Sequence, residues 1–143
     1  MAQSAFHWVK FRAFVHATES RERVEEALRF VCGDEAEISV TKTEGFHGNP
    51  IEILESEITR KKDINGFFTR MKGAGIRLDE NASEMVDEDC SWRIRLGKQA
   101  AFEERIERGA NSDVIIIQAK VSAYPAKKTV AVKNLLEYAS SLR

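Results

Sequence analysis

The segment Gly45-Phe46-His47-Gly48-Asn49-Pro50 constrains the fold more than any other stretch of this chain. It lies between two strand-like runs, residues 37–43 and 51–59, and carries two glycines and an Asn-Pro turn signal. Glycine reaches backbone conformations closed to other residues, and Asn-Pro favours turn initiation. A connection this short favours antiparallel pairing of the strands it joins, because a parallel crossover takes far more chain, usually a helix. The loop also carries an aromatic ring and an imidazole, Phe46 and His47, in a segment shaped to present them.

Periodicity supplies the elements on either side. Residues 6–17 alternate like a strand, with Val9, Phe11, Ala13 and Val15 on one face and Trp8, Lys10, Arg12, Phe14 and His16 on the other. Thr18 reads as the N-cap of a helix from Glu19 to Cys32, with Val24, Ala27, Leu28 and Val31 on one stripe and Gly33 as the stop. In the run 51–59 the apolar face changes between Ile53 and Leu54, the mark of a bulge or of burial on both sides. Asp63 reads as the cap of the next helix, in which Ile64, Phe67, Phe68 and Met71 are spaced i, i+3, i+4 and i+7, and Gly73 and Gly75 end it. A connector over 76–89 holds a short helix near 82–86. Trp92, Ile94 and Leu96 then alternate with Arg93 and Arg95 in a strand over 90–96. A helix over 98–105, a turn at Asn111-Ser112-Asp113, a strand over 114–123 and a helix over 126–142 behind Pro125 complete the chain. The order β-α-β-β-α-(α)-β-α-β-α predicts a two-layer α+β fold, an antiparallel or mixed sheet with helices on one face. With no repeat and no linker, residues 1–143 read as a single domain.

At 143 residues, 43% hydrophobic and 31% charged, the chain is long and apolar enough for one core. No apolar run approaches the roughly 18 residues that span a membrane, and residues 1–10 lack a signal-peptide pattern, so a cytoplasmic location is expected. Cys32 and Cys90 lack the spacing of a disulfide framework or a zinc site and read as small buried hydrophobes. The formal net charge is −1, which argues against a simple highly basic nucleic-acid binder. However, Asp79, Glu80, Glu84, Asp87, Glu88 and Asp89 concentrate six acids in one segment; without them, 22 bases face 17 acids, a net of +5. A basic surface is open to the fold if that segment lies elsewhere.

The motifs of phosphate loops, dinucleotide sites, zinc hydrolases and serine hydrolases are absent. His7 and His16 are an odd number of residues apart in one strand and so face opposite ways, and His47 has no orienting partner in sequence. The acidic segment lacks the spacing and central glycine of a calcium loop. The residues thus single out no catalytic residue, metal site or cofactor; an enzyme acting on RNA or a small phosphate ligand, with His47 as acid or base, ranks third among the readings. The polar strand faces are more informative. Lys10, Arg12 and His16, then Arg93 and Arg95, then Gln118 and Lys120 form rows opposite apolar faces, with Trp8 and Phe14 interleaved in the first. Cations beside aromatic rings suit phosphate contact and base stacking; a merely solvated sheet face would look the same. Lys61-Lys62 and Lys127-Lys128 stand at helix starts, where they oppose the helix dipole unless a phosphate is bound.

Four short motifs in order, His16-Ala17-Thr18-Glu19, Gly45 through Ile51, Gly97-Lys98-Gln99-Ala100-Ala101 and Ala123-Tyr124-Pro125-Ala126-Lys127, resemble an archaeal RNA-binding family described as a predicted exosome subunit. The resemblance covers nearly the whole chain. It implies the fold of the ribosomal protein that binds 5S rRNA, RNA binding without catalysis, and contacts from His47, Gly48, Asn49, Lys98, Gln99, Tyr124 and Lys127. The expected RNA-binding set is therefore Lys10, Arg12, His16, Phe46, His47, Asn49, Lys61, Lys62, Arg93, Arg95, Lys98, Gln99, Lys120, Tyr124, Lys127 and Lys128, with structured RNA and exosome or ribosome-related proteins as partners. The alternative is a protein-interaction module on the same sheet face, anchored by Trp8 and Phe14.

Overall fold

Alternating burial along most strands and striped burial along the helices build the expected architecture, while the strand over 38–44 is exposed beyond its half-buried first residue. The computed structural model describes residues 6–44, 48, 50–109 and 113–142. The elements are β1 (Phe6–Val15), α1 (Arg21–Cys32), β2 (Ile38–Glu44), β3 (Pro50–Ile58), α2 (Lys61–Gly73), α3 (Ala82–Met85), β4 (Ser91–Gly97), α4 (Lys98–Phe102), β5 (Val114–Val121) and α5 (Lys128–Ser141). The strands form one open antiparallel sheet in the order β2-β3-β1-β5-β4, an α+β fold. The β2–β3 pairing runs without interruption from Ile38 opposite Ser56 to Glu44 opposite Pro50. On its β2 side, β3 thus has no bulge at Ile53–Leu54; Leu54 is buried and Ile53 half-buried, one on each face, the alternative of burial on both sides.

Several boundaries differ from expectation for local reasons. Ser20, not Thr18, caps α1; its side chain accepts the Arg23 N–H, and Gly33 closes the helix at φ 108. Arg60 is the N-cap of α2, so Lys61 and Lys62 are its first two residues; Asp63 sits inside the first turn, ion-paired to Arg60 Nε at 3.0 Å. The last helix begins at Lys128 rather than Ala126, with Lys127 as N-cap. α4 stops at Phe102, short of Arg105. β1 ends at Val15, which leaves His16 in the following loop rather than on the strand face. No helix among the described residues is long and apolar enough to cross a membrane.

The chain divides into two compact units. The first comprises the described residues of Met1–Val9, Ile58–Ile94 and Gln118–Arg143; the second, those of Lys10–Glu57 and Arg95–Ile117. No linker marks the division, since its boundaries fall within β1, β3, β4 and β5. An aromatic cluster holds the first unit. Phe6 stacks on Phe68 of α2 at 4.5 Å, and Tyr138 of α5 and Trp92 of β4 meet Phe68 edge-on. Burial pushes the Tyr138 phenol up to about 12, and its hydroxyl donates to Asn65 Oδ1. The second unit packs α1 on α4, with Arg23 over the Phe102 ring and Val24, Ala27, Leu28 and Val31 buried, as the stripe requires. Gly109 approaches Gly97 so closely that a Cβ on it would lie 3.1 Å from the Gly97 nitrogen. Together with the bond from Gly97 N–H to Glu107 O at 2.8 Å, this fixes the start of α4 and hence Lys98.

Candidate nucleic-acid interface

In the second unit, two motifs distant in sequence converge on Lys98. Its side chain is 1% exposed, and its three N–H donors meet three acceptors: Phe14 O at 2.8 Å, Glu19 Oε1 at 2.9 Å and Asp113 Oδ1 at 3.0 Å. A buried ammonium is tolerable only when so paired. Glu19 Oε1 also accepts the His16 backbone N–H at 3.0 Å, and Gln99 Nε2 donates to Asp113 Oδ2 at 2.8 Å. Burial raises the Asp113 carboxyl, but hydrogen bonds from Gln99 and Lys98 and the charges of Lys98 and His16 outweigh it and hold the group below the usual carboxylate range. The structure thus brings His16, Lys98 and Gln99 together, with Lys98 turned inward as a clamp between the end of β1, the loop into α1 and the start of β5. Sequence reasoning missed Asp113 as the hub. Glu19 stood in a quoted motif, but nothing local tied it to a lysine 79 residues away.

The open sheet face is more nearly neutral than its cations imply. In the second unit, Arg12 donates to Glu55 Oε2 from Nη2 at 2.9 Å and from Nε at 3.1 Å, and Lys10 lies 3.7 Å from Glu57 Oε2. Arg95 is exposed and has no carboxylate partner among the described residues. In the first unit, Arg93 Nε donates to Asp87 Oδ2 at 3.0 Å, and Lys120 donates to the Asp89 carbonyl. Burial raises Asp87, but the Ser91 N–H, the Arg93 side chain and the Asp89 N–H together hold it below the usual range. In the first unit the acidic segment therefore does not lie apart from the basic rows: Asp87 pairs with Arg93, and the Asp89 carbonyl accepts from Lys120. The signal for Glu55 and Glu57 was present in sequence as two acids spaced i, i+2, alternating with Leu54, Ser56 and Ile58.

The remaining cations of the first unit stand differently. Tyr124, in the turn between β5 and α5, is 97% exposed. Lys127 caps α5 without a side-chain cap bond, Lys128 opens the helix, and its first turn holds no acid. Lys61 and Lys62 open α2. None of these four lysines has a carboxylate partner among the described residues. Phe46, His47 and Asn49 lie outside the described residues; Gly48, at φ 73, has the left-handed backbone that favours glycine. Among the described residues, no group of three or more His, Cys, Asp or Glu could hold a metal ion.

A five-stranded open sheet with this order of helices defines an α+β class that solved proteins share. The crystal structure of protein AF2318 from Archaeglobus fulgidus, of the DUF54 group, matches with a TM-score of 0.82 at 30% identity, covering 93% of this chain and 99% of that one. Mth689, a DUF54 protein from Methanothermobacter thermautotrophicus, matches with a TM-score of 0.79 at 35% identity, covering 94% and 98%. In sequence, the RNA-binding protein PAB1135 of Pyrococcus abyssi is 36% identical over 142 residues, 92% of each chain. Residues 8–121 match a family model described as RNA binding, and the chain belongs to that family.

Proposed function

We propose that this chain binds RNA without catalysing a reaction on it, and that the turn between β5 and α5 makes the primary contact. The observation that carries this reading is the 97% exposure of Tyr124, three residues ahead of two lysines that have no carboxylate partner among the described residues. An aromatic ring held in solvent offers a stacking surface for a base, worth about 1–3 kcal/mol per base. Lys127 and Lys128 add charge where the free N–H groups of α5 already favour a phosphate. Lys61 and Lys62 likewise stand in the first turn of α2, where Asp63 is already paired to Arg60. The family match and the name of the Pyrococcus relative support RNA as the ligand. The resemblance to a predicted exosome subunit extends the proposal to a role in cytoplasmic RNA processing beside exosome or ribosome-related proteins, and to kinship with the fold that binds 5S rRNA.

The test is RNA binding by fluorescence anisotropy across a salt series, with single-stranded and duplex probes. Lys127→Ala/Lys128→Ala should weaken binding about tenfold at low salt and flatten the dependence of log K on log salt by about 1.4, at about 0.7 per lost single-strand contact. Tyr124→Ala should weaken single-strand binding without changing that slope. The RNA should be recovered at full length. An unchanged slope in the double variant would remove this turn from the interface, and shortened RNA would overturn the non-catalytic reading.

A further inference from the structure

We propose that Glu55 and Glu57 of β3 are specificity-determining residues, which hold the open sheet face of the second unit closed to a generic phosphate backbone. The proposal rests on RNA being the ligand; it concerns a surface other than the β5–α5 turn.

The geometry is that of occupied anion sites. The Arg12 guanidinium aims two N–H groups, Nε at 3.1 Å and Nη2 at 2.9 Å, at the single oxygen Glu55 Oε2. Arginine recognises carboxylate and phosphate with the same planar fork, so Glu55 stands where a phosphate oxygen would bind. Glu57 Oε2 takes the corresponding place 3.7 Å from Lys10 Nζ. Strand register sets both placements. Leu54, Ser56 and Ile58 are buried, so the acids between them must face outward; a slip of one residue would drive both acids into the core. On the other face of β3, Glu52 is held by Arg21 at 3.0 Å. Each acid of β3 thus has its own cation.

Without these carboxylates, Lys10, Arg12 and the half-buried Phe14 ring would form the cation and aromatic row that suits single-stranded RNA. With them, a phosphate has to displace a carboxylate from each cation and then lie beside it as a like charge. A nucleic-acid backbone gains little there, and binding is left to surfaces without such acids. Exposed pairs of this kind add little to folding, so the carboxylates can be removed with the fold intact.

The experiment compares the full chain with Glu55→Gln/Glu57→Gln on labelled oligouridine across a salt series. The double variant should bind about tenfold tighter at low salt, with a slope steeper by about 1.4, equivalent to two further single-strand phosphate contacts. Glu57→Gln alone, which leaves the Arg12 pair in place, should give about half that change in slope. Adding Arg12→Ala to the double variant should remove most of the gain. The control is Glu22→Gln/Glu26→Gln, which makes the same change in net charge at exposed positions of α1 and should shift affinity by about twofold at most. An unchanged slope in the double variant, or an equal gain in the control, overturns the proposal. The two readings fail separately. If Lys127→Ala/Lys128→Ala abolishes binding while the glutamine variants add nothing, the turn stands and this inference falls. If the glutamine variants bind more tightly while Lys127→Ala/Lys128→Ala changes neither affinity nor slope, this inference stands and the turn reading falls.

Discussion

Lys98 is the residue whose surroundings change its meaning most. In sequence it sits in a Gly-Lys-Gln motif that resembles a contact residue; in the fold it is 1% exposed and spends its three donors within the chain. Its influence on any ligand therefore acts through the loop that carries His16 and through Gln99. Replacing it with Met would keep the stem and remove the charge, leaving Glu19 and Asp113 without their shared cation. Removing one partner of a buried pair costs about 3–5 kcal/mol, and both carboxylates keep some access to water, so about 3 kcal/mol is expected at neutral pH. The pH dependence has a definite sign. Asp113 is held below the usual carboxylate range, so its contribution is present above its unfolded value of about 3.9 and is lost as pH falls through the folded value. In Lys98→Met the part of that contribution supplied by Lys98 is already gone, while the Gln99 hydrogen bond remains. Urea midpoints measured from neutral pH into acid should fall more steeply for the unmodified chain than for the variant, and the gap between them should narrow.

At the scale of elements, much was legible, because the signals are local. The i, i+3, i+4, i+7 stripe of α2 and the alternation of β4 follow from helix and strand geometry alone, and both faces are buried as the pattern demands. The caps were less legible, because a cap is defined by backbone geometry as well as by residue type. Asp63 has the right side chain, but Arg60 has the extended backbone, so the helix starts three residues earlier. The start of α5 carries the prediction at this scale. Its N-cap is a lysine and its first turn lacks an acid, which opposes the helix dipole. Lys127→Ala/Lys128→Ala should therefore raise stability by about 0.5 kcal/mol in total, read as a higher urea midpoint, while RNA affinity falls. Opposite signs in the two measurements separate a binding role from a structural one.

For the whole molecule, the distribution of charge matters more than its sum. A net of −1 conceals rows of cations, and the structure shows that most of those on the sheet are already answered: Arg12 by Glu55, Lys10 by Glu57 and Arg93 by Asp87. If only Lys61, Lys62, Lys127 and Lys128 engage phosphate, the slope of log K against log salt on single-stranded RNA should not exceed about 3 in magnitude. A slope near twice that would mean that the sheet cations exchange their carboxylates for phosphate after all. The sequence by itself determined the elements, their apolar faces and the antiparallel hairpin, because periodicity and turn chemistry act over a few residues. It also carried the motifs that place the chain beside its RNA-binding relatives. Only the tertiary structure decided which charges are free, because neutralisation joins residues far apart in the chain, 43 positions for Arg12 and Glu55 and 79 for Lys98 and Glu19. Coulomb energy depends on distance in space and on burial, and neither can be read from position along a strand.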